Sequence, residues 1–406
     1  MPNDNGPTGG IVHEIRWSDA LPWWIFFRAA GCGFSPTVIL LAGLGAAAVW
    51  AGGSVADRLG MVVPGIQDGL AAAMQVDGIA LAAPDGGFAV GTYPLTPSRT
   101  VLPWLHEAAA RLPSGISEGL ALLAVPFRPD ASPAAVAGAV VRIGWFILVW
   151  AIFGTAISRT VALKLSGEES PGLLGALGYG SLKWPPAVNS VLFVLVGIAV
   201  LSIPGALLGL AMRTEWGLAV AGGMWPLVML GAIVLAILAI GVVVGWPLMV
   251  AAVGVERADS FQAISTAFSY VYQRPLHYAF YLLIAGLVAI PTLAAAGAFA
   301  DATGSLAMWA ASLGMGHDRT AIVLDGLAGV GPVAETWGLQ ALRFWTRGLA
   351  SLLGSFGWGY FWAIATAAYL VLRQDVDGTE LDEVVLDEPG SREQPANHEG
   401  QAVPAG

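Results

Sequence analysis

Long runs without a charge alternate with short polar stretches along this chain. Five runs contain no Asp, Glu, Lys or Arg: residues 34–54, 188–211, 225–255, 276–300 and 349–372. A sixth run, 136–157, contains one charge, Arg142, near one end. A helix needs about 20 apolar residues to cross a membrane, because it rises roughly 1.5 Å per residue through about 30 Å of hydrocarbon. All six runs reach that length. The pattern predicts an all-α integral membrane protein with about six transmembrane helices.

The stretch 216–255 is the awkward one. Forty residues without a charge would make a helix of roughly 60 Å, more than one crossing and barely two. Gly222, Gly223 and Pro226 interrupt its first third, so 216–224 reads as an interfacial or re-entrant segment. One long tilted helix over 225–255 then follows.

Composition agrees with this class. The chain has 406 residues, 56% hydrophobic and 11% charged, against about 25% charged in soluble domains. Its mean hydropathy is +0.71. These values exclude a disordered chain, a nucleic-acid binder and an ordinary cytosolic enzyme. A single Cys, Cys32, excludes a disulfide framework and a cysteine zinc site. The net charge of −10 is mostly local, because residues 374–406 hold nine acids and one Arg. That segment reads as a disordered acidic tail.

Lys and Arg in short loops set the orientation. With the N-terminus inside, Arg16, Arg28, Arg159, Lys164, Lys183, Arg257, Arg274 and Arg373 fall on one side, because the second and fourth connections are then cytoplasmic. Both termini are then expected inside a bacterial-type inner (plasma) membrane. Residues 1–33 read as a cytoplasmic N-terminus with an amphipathic, Trp-rich interfacial helix, and the first span as uncleaved. The outer segments 56–135 and 301–347 are expected to form a helical cap.

An internal repeat is also visible. Glu169-Ser170-Pro171 through Lys183-Trp184-Pro185 parallels Asp259-Ser260-Phe261 through Gln273-Arg274-Pro275. Each is an acid and a Ser, then a Pro fifteen residues after that Ser, then a span with an Ile-Pro pair inside it. The returning spans also match: Trp150 precedes Arg159, Trp246 precedes Arg257 and Trp362 precedes Arg373. Three hairpins are expected, each an interfacial helix, a Pro, a span out and a span back. The run Asp259-Ser260-Phe261-Gln262-Ala263-Ile264-Ser265-Thr266-Ala267-Phe268-Ser269-Tyr270 resembles the interfacial helix of uncharacterised bacterial polytopic proteins. Among these is the six-helix membrane domain attached to some glycerophosphodiester phosphodiesterases. The resemblance covers about a third of the chain and implies a six-helix membrane module. It implies no phosphodiesterase activity, since no room remains for that barrel domain.

Catalytic chemistry is hard to find. No Asp, Glu, His or Lys lies in the central part of a span, where proton-coupled transporters and intramembrane aspartyl proteases keep theirs. Arg142 lies shallow enough to snorkel. His106-Glu107-Ala108-Ala109-Ala110 lacks the second His of a zincin. Gly115-Ile116-Ser117-Glu118-Gly119 matches the nucleophile elbow but follows a helical pattern instead of a strand. His106 and Asp130 would nominally complete its triad. Residues 175–183 are glycine-rich near Lys183, but Ser181 follows Gly180 where a phosphate loop demands Lys. No catalytic residue, metal site or cofactor is assigned.

Two groups of residues are candidates for contact. Gly205 with Gly209 and Gly241 with Gly245 have the small-residue spacing that lets helices approach closely, read chiefly as contacts within the module. Lys183, Trp184, Tyr272, Arg274, His277 and Tyr278 combine cations and aromatics near the repeat prolines, where they would anchor at the interface or hold a lipid phosphate. The leading functional expectation is a non-enzymatic membrane module that scaffolds a partner protein or lipid. The alternative is a permease-like transporter of an uncharged or amphipathic solute, through helices broken at Pro204, Pro226, Pro247 and Pro291. A membrane enzyme using Ser117 and His106 stands third. Expected partners are membrane lipids and another membrane protein, with no nucleic acid.

Overall fold

The computed structural model describes residues 21–63, 121–128, 131–327 and 336–379. His106, Ser117 and most of the 56–135 segment lie outside these residues, as do the first 20 residues and the tail beyond 379. The described chain runs through α1 (Ile25–Gly33), α2 (Pro36–Arg58), α3 (Pro133–Ser166), α4 (Leu173–Ala211) and α5 (Glu215–Glu256). It continues through α6 (Ser260–Gln273), α7 (Pro275–Met315), α8 (His317–Leu327), α9 (Trp337–Gly354) and α10 (Phe356–Asp377). No strand occurs among the described residues.

Local chemistry sets many of the boundaries. Ser35, Ser132, Thr214 and Asp259 each accept a hydrogen bond from the backbone N–H three residues on, starting α2, α3, α5 and α6. Such a cap satisfies a donor that the first turn cannot. Pro36 and Pro133 occupy first-turn positions where a missing N–H costs nothing. At the other ends, Gly167 and Gly378 close α3 and α10 with φ of 82° and 71°, conformations that a side chain would resist.

Five helices, α2 to α5 and α7, are long and apolar enough to cross a membrane. Their bounds depart from the expected spans. The 216–224 segment is not a separate interfacial piece, because α5 runs without a break from Glu215 to Glu256, through Pro226 and Pro247. Likewise α4 carries the expected interfacial segment and the span as one helix, through Pro185, Pro186 and Pro204. A proline removes one N–H, and a helix holds all its other backbone bonds internally. Only the first and third hairpins break before the proline, at Ser35 and at Arg274 (φ −130°, ψ 52°). The expected loop at 301 is the last third of α7. Beyond it, α8 and α9 close a small cluster of Met308, Val323, Leu324 and Leu339.

The last expected span, 349–372, is divided. α9 ends at Gly354 and α10 begins after Ser355. α10 packs against α1, α2, α3, α5, α6, α7 and α9. Every residue from Trp362 to Arg373 is buried, so this helix is enclosed by protein on all sides. Around it the three matching tryptophans meet. Trp362 lies 5.9 Å from Trp150 on α3 and 5.3 Å from Trp246 on α5, ring centre to ring centre. The Trp358 ring lies 4.5 Å from that of Trp150, tilted by 30°.

Small residues make room for this packing. A Cβ at Gly154 would fall 2.7 Å from the Trp362 ring, and one at Gly180 would fall 2.3 Å from the Ile152 backbone oxygen. Gly180→Ala therefore forces α4 off α3, and an overpacking cost of about 1–3 kcal/mol is expected. Gly286→Ala meets open space and should leave stability unchanged or slightly raised. Thermal unfolding of the two variants in one detergent checks this. Equal melting temperatures would contradict the close α3–α4 contact.

Candidate functional site at the arginine end of the bundle

Charged and phenolic side chains converge where α3, α5 and α10 finish. Arg159 of α3 is 2% exposed. Its guanidinium lies 5.2 Å from the ring centre of Tyr179 on α4, and Nη1 donates to the Val255 carbonyl at 3.4 Å. The Tyr179 hydroxyl donates to the carbonyls of Val253 (2.9 Å) and Gly254 (3.3 Å) on α5. Arg373 of α10 is 3% exposed, and its Nη1 reaches Glu256 Oε1 at 3.2 Å. Arg28 of α1 donates to the Leu165 carbonyl at 2.7 Å, beside the C-terminus of α3, where a cation also complements the helix dipole.

Two carboxylates complete the layer. The Tyr281 hydroxyl of α7 donates to Asp375 Oδ2 at 2.6 Å, and the Tyr270 hydroxyl of α6 donates to Asp377 Oδ2 at 2.5 Å. Asp375 and Asp377 were expected in the disordered tail. They instead form the last turn of α10 and tie α7 and α6 to it. Burial, and then Asp377 itself, push the Tyr270 phenol well above its ordinary value. It therefore remains a proton donor to the carboxylate at neutral pH. Burial likewise raises the Cys32 thiol, against the opposing pull of Lys164 and Arg28.

The opposite end carries a second ionic contact, between Arg142 of α3 and Asp57 of α2. Arg142, expected to snorkel, is held by this carboxylate. Arg142 and Arg159 are 17 residues apart on α3, about 25 Å along a helix. That separation is close to the roughly 30 Å width of a hydrocarbon layer. The two polar layers bracket an apolar slab.

The sequence-selected residues separate. Tyr272 and Tyr278 donate to the α5 carbonyls of Ile237 and Val244, so both serve the packing of α6 and α7 on α5. Arg274 and His277 are exposed at the α6–α7 junction, and Lys183 and Trp184 lie on α4. Gly241 and Gly245 receive Phe268 and Ala267 of α6, not the neighbouring span. Gly205 and Gly209 face open space, so the close contact expected between spans is not made there. Arg159 and Arg373 were legible as span-ending cations. Their partners were not, because Tyr179 and Glu256 come from two other helices.

Chemically, the charged groups of the layer are engaged with one another, with phenols or with backbone carbonyls, while the buried Ser158 Oγ and Gln374 Oε1 beside them make no hydrogen bond. No group of three His, Cys, Asp or Glu with metal-binding geometry occurs among the described residues. The fold is that of a multi-pass helical membrane protein, with five helices long and apolar enough to cross. Compared with protein-family models, curated proteins and solved structures, the chain matches none.

Removing one partner of a buried ion pair strands the other, at roughly 3–5 kcal/mol. Glu256 keeps 19% side-chain exposure, so Arg373→Met should cost an amount near the lower end of that range. Pairing it with Glu256→Leu should recover most of the loss, since a buried pair is often replaceable by apolar groups. Melting temperatures of the single and double variants test this. A double variant no more stable than Arg373→Met would show that Glu256 is not the partner that matters.

Proposed function

We propose that this protein is a non-enzymatic membrane module that holds a partner protein or a lipid. The observation that carries the reading concerns the prolines. A permease built on broken helices needs Pro204, Pro226, Pro247 and Pro291 around a shared polar cavity. Instead, α4, α5 and α7 run unbroken through them. Pro204, Pro226 and Pro291 are exposed on the bundle surface, and only Pro247 is half-buried. That placement favours a rigid body over an alternating-access carrier. The engaged ionic layer supports the same reading, because its charges already have partners within the chain.

In this reading α10 is the sixth crossing, enclosed by the other helices, and both termini lie on the same, cytoplasmic side. The resemblance of 259–270, now the start of α6, to six-helix bacterial membrane modules accords with it. Exposed Arg274 and His277, with Lys183 and Trp184 on α4, supply the cations and aromatic surface suited to a lipid phosphate.

Native mass spectrometry of the detergent-purified protein tests the proposal. The expected result is a protein or a defined lipid retained in stoichiometric amount, with Arg274→Ala and Lys183→Ala lowering retention of an anionic lipid several-fold. A bare chain, together with solute uptake by reconstituted vesicles, would replace this reading with the permease.

A further inference from the structure

The α4–α5 hairpin is poorly covered by the other described residues. From about Val196 on α4, around the turn and back to Ile240 on α5, most residues are exposed. The exposed side chains are large and apolar, with Leu207 at 63%, Trp216 at 84% and Leu227 at 62%. Lipid tails cover part of this surface. They cannot cover all of it, because the helices are too long. With 39 and 42 residues, α4 and α5 measure about 58 and 63 Å, against about 30 Å of hydrocarbon. Fitting them inside would require a tilt near 60°, beyond the roughly 0–40° seen in spanning helices. The far part of the hairpin therefore leaves the hydrocarbon as bare apolar helix, a surface that soluble faces of proteins rarely show unless something binds there.

The hairpin tip indicates what binds. Its two charges, Arg213 and Glu215, are of opposite sign and exposed, and they flank Thr214 in the turn between α4 and α5. Neither makes an ion pair among the described residues. Two copies in one membrane are related by a twofold axis along the membrane normal, which keeps every residue at its own height. At the tip, Arg213 of one copy then stands level with Glu215 of the other, twice over. Below the tip, Gly205 and Gly209 have open space where a side chain would be, so a second helix can approach closely. The apolar flanks and the charges are both self-complementary.

We propose that the α4–α5 arm is a homodimer interface whose occupant is the same arm of a second copy, locked at the tip by reciprocal Arg213–Glu215 pairs. The interface is independent of any lipid or other protein that the module holds. It covers the emerging apolar surface that lipid does not reach.

Cross-linking in native membranes tests the proposal. In a Cys32→Ser background, Leu207→Cys places one thiol on the arm. Leu287→Cys places one on the exposed face of α7, away from the arm. Oxidation should give a disulfide-linked dimer with Leu207→Cys and at least tenfold less with Leu287→Cys. Adding Arg213→Glu, which sets like charges opposite each other, should lower the dimer yield roughly five-fold, in line with the modest strength of exposed pairs. Adding Glu215→Arg to that variant should restore it. Equal yields at positions 207 and 287, monomer only, or a failure of the charge swap to restore the dimer would each overturn the proposal. So would a cross-link from position 207 to a different protein.

Discussion

Arg373 sits on a helix that meets protein on every side, and its charge has to be answered from within the chain. Glu256 at the end of α5 does so. The position of α5 against α10 follows from that contact and from the tryptophans one layer away. An unpaired guanidinium in such a place would cost several kcal/mol. The ends of α3, α5 and α10 are therefore held in register, and α4 joins them because Tyr179 spans Arg159 and the last carbonyls of α5.

The tyrosines extend the same logic outward. Tyr270, Tyr272, Tyr278, Tyr281 and Tyr360 each donate to a carbonyl or carboxylate on another helix. In an apolar medium a phenol gives one directional bond while its ring still packs like a hydrophobe. Apolar surface alone sets no register between helices in lipid, since lipid is as apolar as leucine. Hydrogen-bonded phenols and close glycine contacts supply that register here. The bundle thus contains a tightly tied body around α10 and a long apolar arm with few such ties.

Much of this architecture was readable from residue order. Four of the charge-free runs and the run carrying Arg142 map onto the five long helices, while the remaining charge-free run, 349–372, is divided between α9 and α10. The pattern of Trp150, Trp246 and Trp362 ahead of an arginine signalled that three helices share a role, and the three rings pack together. Other features were misread because a local rule was outweighed. Pro226 and the paired Gly222 and Gly223 suggest a break, yet α5 is continuous. Asp375 and Asp377 share the composition of a solvated tail, and only Tyr281 and Tyr270, about a hundred residues away, draw them into a helix end.

The sequence by itself determined the class: helices long and apolar enough to cross a membrane, capped where Ser, Thr or Asp stands, with acidity gathered at one end. Those properties depend on neighbours along the chain, and periodicity records them. Tertiary structure alone decided that α10 lies in the centre, that Arg373 meets Glu256, and that, among the described residues, Gly241 receives Phe268 while Gly205 meets open space and the α4–α5 arm stands apart. Each of these depends on which faces of distant helices come together. Hydropathy scores a lipid-facing residue and a protein-facing one alike, so an apolar run cannot specify that choice.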